Sequence, residues 1–132
     1  MHILSPDQLR YRPYWVAGGV VLLSVVLALS LVPYTGPDLP VTFADKIAHM
    51  LAFTALIVWF SSVVPQSRWP SLFGLLLTYG VFIEVMQFFT GYRVMEWGDI
   101  VADAGGLILG WYMNKAGLAN WANWVERLLG VR

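Results

Sequence analysis

Four stretches of this chain, roughly residues 14 to 32, 46 to 64, 70 to 90 and 99 to 117, are each about long enough and apolar enough to cross a bilayer as a helix. Lipid hydrocarbon admits only backbones that satisfy their own hydrogen bonds, and a helix does so within one segment. Four such windows in 132 residues leave room for little else. The composition agrees, with 58% hydrophobic and 12% charged residues, against about 25% charged in an ordinary soluble domain. Pro33, Gly36, Pro37 and Pro40 break the chain after the first window; Pro65 and Pro70 bracket a short turn; "TGYR" and Trp97-Gly98 separate the last two. Links this short make neighbours antiparallel. The expected fold is therefore all-α, an integral membrane four-helix bundle forming a single domain over residues 1 to 132.

The end of the chain, about 118 to 130, places Leu118, Trp121, Val125 and Leu128 on one helical face, with Asn120, Asn123 and Arg127 elsewhere. That pattern predicts an amphipathic helix lying along the membrane interface. Trp15, Trp69, Trp97 and His2 suit interfacial placement. Ser24 with Ala28, and Gly106 with Gly110, recur at helical spacing and predict close helix packing. Arg10, Arg12 and "ALS" at 28 to 30 resemble a signal peptide, but the apolar run exceeds the usual length of about 7 to 15 residues, so a spanning helix is the reading adopted.

Zero net charge and an isoelectric point near 6.7 give no basic surface for nucleic acid. The absence of cysteine excludes disulfides, thiolate nucleophiles and cysteine-ligated metals. Basic residues near span ends set orientation: Arg10, Arg12, Arg68, Lys115, Arg127 and Arg132 fall on one side, and Lys46 and Arg93 on the other. Both termini are expected in the cytoplasm, with the connections 33 to 44 and 91 to 98 facing outward.

The remaining polar residues gather at that outer side. Asp45 and His49 stack four apart on the second helix, where Asp45 gives the imidazole a partner able to orient it. Glu84 and Gln87 share a face of the third, with Glu84 about 9 Å below residue 90. Arg93 and Glu96 lie in the outer loop; Asp99 opens the fourth helix, with Asp103, Gly106 and Gly110 continuing its stripe. Ionisable groups facing lipid cost about 2.5 to 3.5 kcal/mol each, so they are expected to face inward and neutralise one another, with acidic groups in excess. Structural roles compete throughout: helix capping for Asp45 and Asp99, including a Thr42–Asp45 capping box, and an ion pair with Arg93 that fixes register for Glu84. Arg93 is otherwise a donor suited to gripping a phosphate or carboxylate.

"DKIAHMLAF" and "EVMQFFTGYRVMEWGDIVADAGGLILG" resemble the VanZ-like membrane family. The matching positions are Asp45, Lys46, His49, Phe53, Glu84, Gln87, Arg93, Asp99, Gly106 and Gly110, and Asp103 departs from the asparagine of the family pattern. The resemblance covers about 40 to 112 and implies a four-helix bacterial inner-membrane protein, linked in the family's namesake to low-level teicoplanin resistance. It implies no known reaction.

Three functions stay open. The first is a binding module for a lipid-linked cell-wall precursor or lipoglycopeptide, using Asp45, Lys46, His49, Glu84, Gln87, Arg93, Asp99 and Asp103, with Phe88, Phe89 and Tyr92 lining an apolar approach. The second is an enzyme on a lipid-linked substrate, with His49, Glu84 or Asp99 as candidate catalytic groups. The third is a structural or regulatory partner whose buried charges specify the bundle, with homo-oligomerisation through Gly106 and Gly110. Asp45, His49, Glu84 and Asp99 are acceptable metal ligands. A single histidine among carboxylates equally describes an ion-pair network, so neither metal nor cofactor is expected. No G-x-S-x-G or H-E-x-x-H motif is present, and the inner halves of the spans offer no proton relay.

Overall fold

The computed structural model describes residues 2–33, 41–93 and 95–131, with the side chains of Val41 and Thr42 outside that description. Gly36, Pro37, Pro40, Arg132 and the Thr42 side chain therefore lie outside the described residues. After a 3-10 turn at Pro6–Gln8, four long helices follow: α1 (Arg12–Leu31), α2 (Val41–Ser61), α3 (Trp69–Phe89) and α4 (Trp97–Lys115). A further 3-10 turn, Leu118–Asn120, leads into α5 (Trp121–Leu128). Among the described residues the fold is all-α.

Proline at the first turn of α1 and of α3 starts each helix where a missing N–H does no harm. Helix α2 begins about five residues before the apolar window, because Asp45 and Lys46 find partners on α4 and its preceding loop and need no water. α1, α2 and α3 are long and apolar enough to cross a membrane, and α4 lies within about two residues of the fourth predicted window but is less apolar. Asp99, Asp103 and Asn114 dilute it, yet all three are buried, so the face α4 turns outward is still apolar: Val101, Ile108, Leu109 and Tyr112. Val21, Leu29, Leu75, Phe82 and Phe89 are likewise exposed. An apolar exterior this continuous is stable in lipid and costly in water. The chain is a membrane protein.

The tightest contact joins α2 to α4. A Cβ on Gly106 would collide with the Met50 carbonyl, and one on Gly110 with Ile57 and the Thr54 backbone. The absence of side chains there lets the two backbones touch, and Thr54 Oγ1 reaches the Gly106 carbonyl at 3.0 Å. Asn114 Nδ2 closes the far end of the pair by donating to Ser61 Oγ at 2.8 Å. Phe53, Leu56, Ile57, Leu76, Ile83 and Leu107 fill the centre. α1 lies to one side, held by side chains that bond to its carbonyls: Tyr79 to Leu23 at 2.6 Å, Gln87 to Ser30 at 2.8 Å, and Tyr92 to Leu31. Ser24 and Ala28 do not serve packing within the chain. Both are exposed, and Ser24 bonds its own helix at Val20. The small residues of α1 that face a neighbour are Gly18 and Gly19, against Trp59 and Phe60.

The C-terminal helix turns polar side chains inward beside the half-buried Leu118, Trp121 and Val125 of its predicted apolar face. Asn120, Asn123 and Glu126 are buried, whereas Trp124, Leu128 and Leu129 are exposed. Glu126 accepts from the backbone N–H groups of Arg10 and Tyr11 and from Trp15 Nε1, each at 2.9 Å, and Asn120 bonds Leu4 and His2. Here backbone donors of the N-terminal segment are satisfied by Asn120 of the preceding 3-10 turn and Glu126 of α5. The rings of Trp15 and Trp69 pack within the chain. Trp15 packs against Trp59 and Trp121, and Trp69 is buried against Trp111. Trp97 is exposed, as an interfacial residue should be.

Gly106→Val is expected to destabilise the protein by at least about 1–3 kcal/mol through overpacking against backbone. Gly74→Ala, where a Cβ meets nothing within 4 Å, is expected to stabilise it by roughly 0.5–1 kcal/mol. Denaturation in mild detergent measures both; equal behaviour of the two variants would remove Gly106 as the determinant of α2–α4 spacing.

Candidate functional site

The polar residues of α2, α3, α4 and the 90–96 connection meet at one end of the bundle. Outermost, Arg93 Nη2 donates to both oxygens of Asp45, at 3.1 and 2.9 Å. Below it, Lys46 Nζ lies 2.6 Å from Glu96 Oε2 and 3.4 Å from Asp99 Oδ1. Deepest are three buried groups: His49, Glu84 and Asp103. His49 Nδ1 and Asp103 Oδ1 are 2.8 Å apart; because a carboxylate only accepts, Nδ1 carries the hydrogen. His49 Nε2 then faces Asp99 Oδ2 at 3.9 Å and Glu84 Oε1 at 4.0 Å. Glu84 Oε2 accepts from the Glu96 backbone N–H at 3.1 Å, which folds the loop back over α3.

Space for these groups comes from glycine. A Cβ on Gly80 would strike Asp103 Oδ2, and one on Gly98 would lie 2.5 Å from Lys46 Cε. In the sequence Gly98 marks only the break before the last window, and Gly80, four residues before Glu84 and so on its stripe, carries no signal of this role. Glu96 belongs to the outer polar group that the sequence gathers, but its partner does not follow from the sequence. Its pairing with Lys46 depends on the path of the loop, which no periodicity reveals.

The capping and pairing expectations are corrected by these contacts. Asp45 lies past the first turn of α2 and pairs with Arg93. Asp99 sits in the first turn of α4 but receives Lys46, and no side chain caps that helix. Arg93 is the partner of Asp45 and not of Glu84, and the orienting carboxylate of His49 is Asp103 and not Asp45. Gln87 is buried but turns toward α1, away from the ion cluster. Phe88, Phe89 and Tyr92 are exposed on the outside of the bundle.

A cleft of about 150 Å³ opens between α1 and α2, lined by Val26, Leu29, Ser30, Asp45, Ala48, His49, Ala52 and Phe53. Polar atoms of the cluster thus form one wall of an otherwise apolar hollow. A larger groove of about 400 Å³ between α1 and α3, lined by Leu23, Leu72, Leu76, Tyr79 and Phe82, is apolar and remote from these groups. Asp45, His49 and Asp99 each offer a ligand atom, all within 4.8 Å of one another. Asp45, Glu84, Glu96, Asp99 and Asp103 face two fixed cations, Lys46 and Arg93, so the cluster is strongly acidic.

Such a fold and cluster define a helical membrane protein with a buried ion network at one end of its bundle. The VanZ/LLP1 pattern matches residues 9–118, and the chain belongs to that family. No curated protein and no solved structure matches it.

Charge exchange tests the pairing. Asp45→Arg or Arg93→Asp alone is expected to cost about 1–3 kcal/mol, between the values for exposed and buried pairs, and to lower membrane abundance. The double exchange should restore abundance, whereas Glu84→Arg with Arg93→Glu should not. Rescue by the second exchange would mean that Arg93 serves Glu84.

Proposed function

We propose that the protein is a bacterial inner-membrane binding module, with both termini cytoplasmic, that receives a lipid-linked envelope molecule or a lipoglycopeptide from the outer side of the membrane. The observation that carries this reading is the cleft in which Asp45 and His49 share a wall with Val26, Leu29, Ala52 and Phe53. A ligand with a polar head and an apolar chain matches both kinds of wall at once. Arg93 and Lys46 at the mouth are the cations that an anionic head group would meet. Outward placement is supported by the basic residues, which are concentrated at the opposite end of the bundle. The link of the family's namesake to low-level teicoplanin resistance agrees with a ligand of this kind.

One observation favours a second reading, an enzyme acting on a lipid-linked substrate. The 2.8 Å contact between His49 and buried Asp103 fixes the ring tautomer, as acid–base chemistry requires. A purely structural network is the outcome that remains if neither ligand is bound.

Orientation is tested with single cysteines. A membrane-impermeant maleimide is expected to label Thr90→Cys in intact cells and to miss Ser67→Cys; the reverse pattern would invert the proposal. Binding is tested with the full chain in nanodiscs and a fluorescent isoprenoid-pyrophosphate disaccharide or a teicoplanin-type lipoglycopeptide. His49→Ala should weaken retention at least about tenfold, which is about 1.4 kcal/mol, while Asp7→Asn at the far end should not. Equal retention by His49→Ala, or none by the wild type, would leave the structural reading.

A further inference from the structure

We propose that His49 Nε2, Asp99, Asp45 and Glu84 Oε1 form a site for one divalent cation of the zinc or manganese class. The inference rests on the reading of this cluster as the head-group site and deepens it: the ion would offer its open positions to a phosphate at the mouth of the cleft.

Geometry is the first argument. His49 Nε2 stands 3.9 Å from Asp99 Oδ2 and 4.0 Å from Glu84 Oε1, too far for hydrogen bonds. Two ligands that share a cation at about 2.1 Å are separated by roughly 3 to 4.2 Å, so these gaps fit an ion between them. The Asp45 carboxylate completes a group whose ligand atoms, with those of His49 and Asp99, lie within 4.8 Å of one another.

Glu84 supplies an independent observation. It is fully buried, the Glu96 N–H satisfies only its Oε2, and its Oε1 has no hydrogen-bond partner. A buried carboxylate oxygen without a donor is rare and costly. This one points toward the imidazole nitrogen that Asp103 leaves free of its hydrogen. Histidine ligands characteristically donate their other N–H to a carboxylate, which is the arrangement of His49 and Asp103.

Charge points the same way. Lys46 and Arg93 also face the cluster, but Lys46 is held by Glu96 and Asp99 Oδ1 and Arg93 by Asp45. Counted formally, with every carboxylate ionised and His49 neutral, these described residues carry three negative charges in excess, which a divalent ion would reduce to one. One imidazole with carboxylates suits Zn²⁺ or Mn²⁺ better than a cation that prefers oxygen alone.

The test uses the full chain in nanodiscs with Mn²⁺ as the only added ligand, read by electron paramagnetic resonance. One Mn²⁺ per chain should be retained, displaced by Zn²⁺, with nitrogen modulation from His49 that His49→Ala removes. Glu84→Gln and Asp99→Asn should each weaken binding at least tenfold; Asp103→Asn should weaken it by about 10–100-fold, as loss of a ligand's supporting carboxylate does. The inference is overturned if monodisperse wild-type protein retains neither ion at about 1 mM, or if bound Mn²⁺ shows no nitrogen coupling. Both measurements are made on the wild type, so a misfolded variant cannot protect the idea. Precursor binding that persists undiminished in EDTA would sink the metal site and spare the binding module. Mn²⁺ binding with no precursor binding would do the opposite.

Discussion

The contact of α2 with α4 at Gly106 governs the rest of the molecule. Because Gly106 has no side chain, its backbone meets the Met50 carbonyl directly. His49 precedes Met50 by one residue, and Asp103 lies one turn before Gly106, so the same approach sets the 2.8 Å contact between the imidazole and its carboxylate. A larger residue at 106 would push the helices apart and separate the pair. Gly80 plays the complementary part from α3, leaving room for the second oxygen of Asp103. Packing and chemistry are therefore one constraint here: small residues on two helices admit charged ones to the interior.

The bundle is closed differently at its two ends. At the cluster end, ion pairs and the folded-back loop at Glu96 bind three helices through charge. At the other end, three indoles pack together, and Glu126 gathers two backbone N–H groups and the Trp15 Nε1–H. A carboxylate with three donors is well satisfied without a cation. In a medium that supplies no water, polar groups are better placed inside the protein than facing lipid, and Asn120, Asn123 and Glu126 are buried there.

The unequal satisfaction of the deep carboxylates gives the cluster its functional interest. Both oxygens of Asp45 accept from an arginine, whereas Glu84 and Asp103 each keep one buried oxygen without a donor. Simple register-setting networks satisfy all their members. A cluster that is acidic in excess, bordered by an apolar cleft and incompletely paired has the form of a site that awaits a cationic or hydrogen-bonding guest.

Much of this was legible in the amino-acid order. Apolar windows and proline placed α1 and α3 within about two residues of their observed ends, and the spacing of Asp45 with His49 and of Gly106 with Gly110 put each pair on one helical face. Those features follow from local periodicity, which depends only on neighbours in the chain. The partners did not follow. That Arg93 takes Asp45, that Asp103 and not Asp45 holds His49, and that Glu126 receives a segment more than a hundred residues away are matters of helix rotation and loop path. The same holds for α5: an amphipathic pattern shows that two faces differ, and the N–H groups of the N-terminal segment, with the indoles of Trp15 and Trp59, drew Glu126 and Trp121 inward. Sequence by itself determined the membrane helices and the stock of charge they carry, because hydropathy and period are properties of single segments. Tertiary structure alone decided how that charge is paired, because pairing depends on distances that are set when separate segments pack.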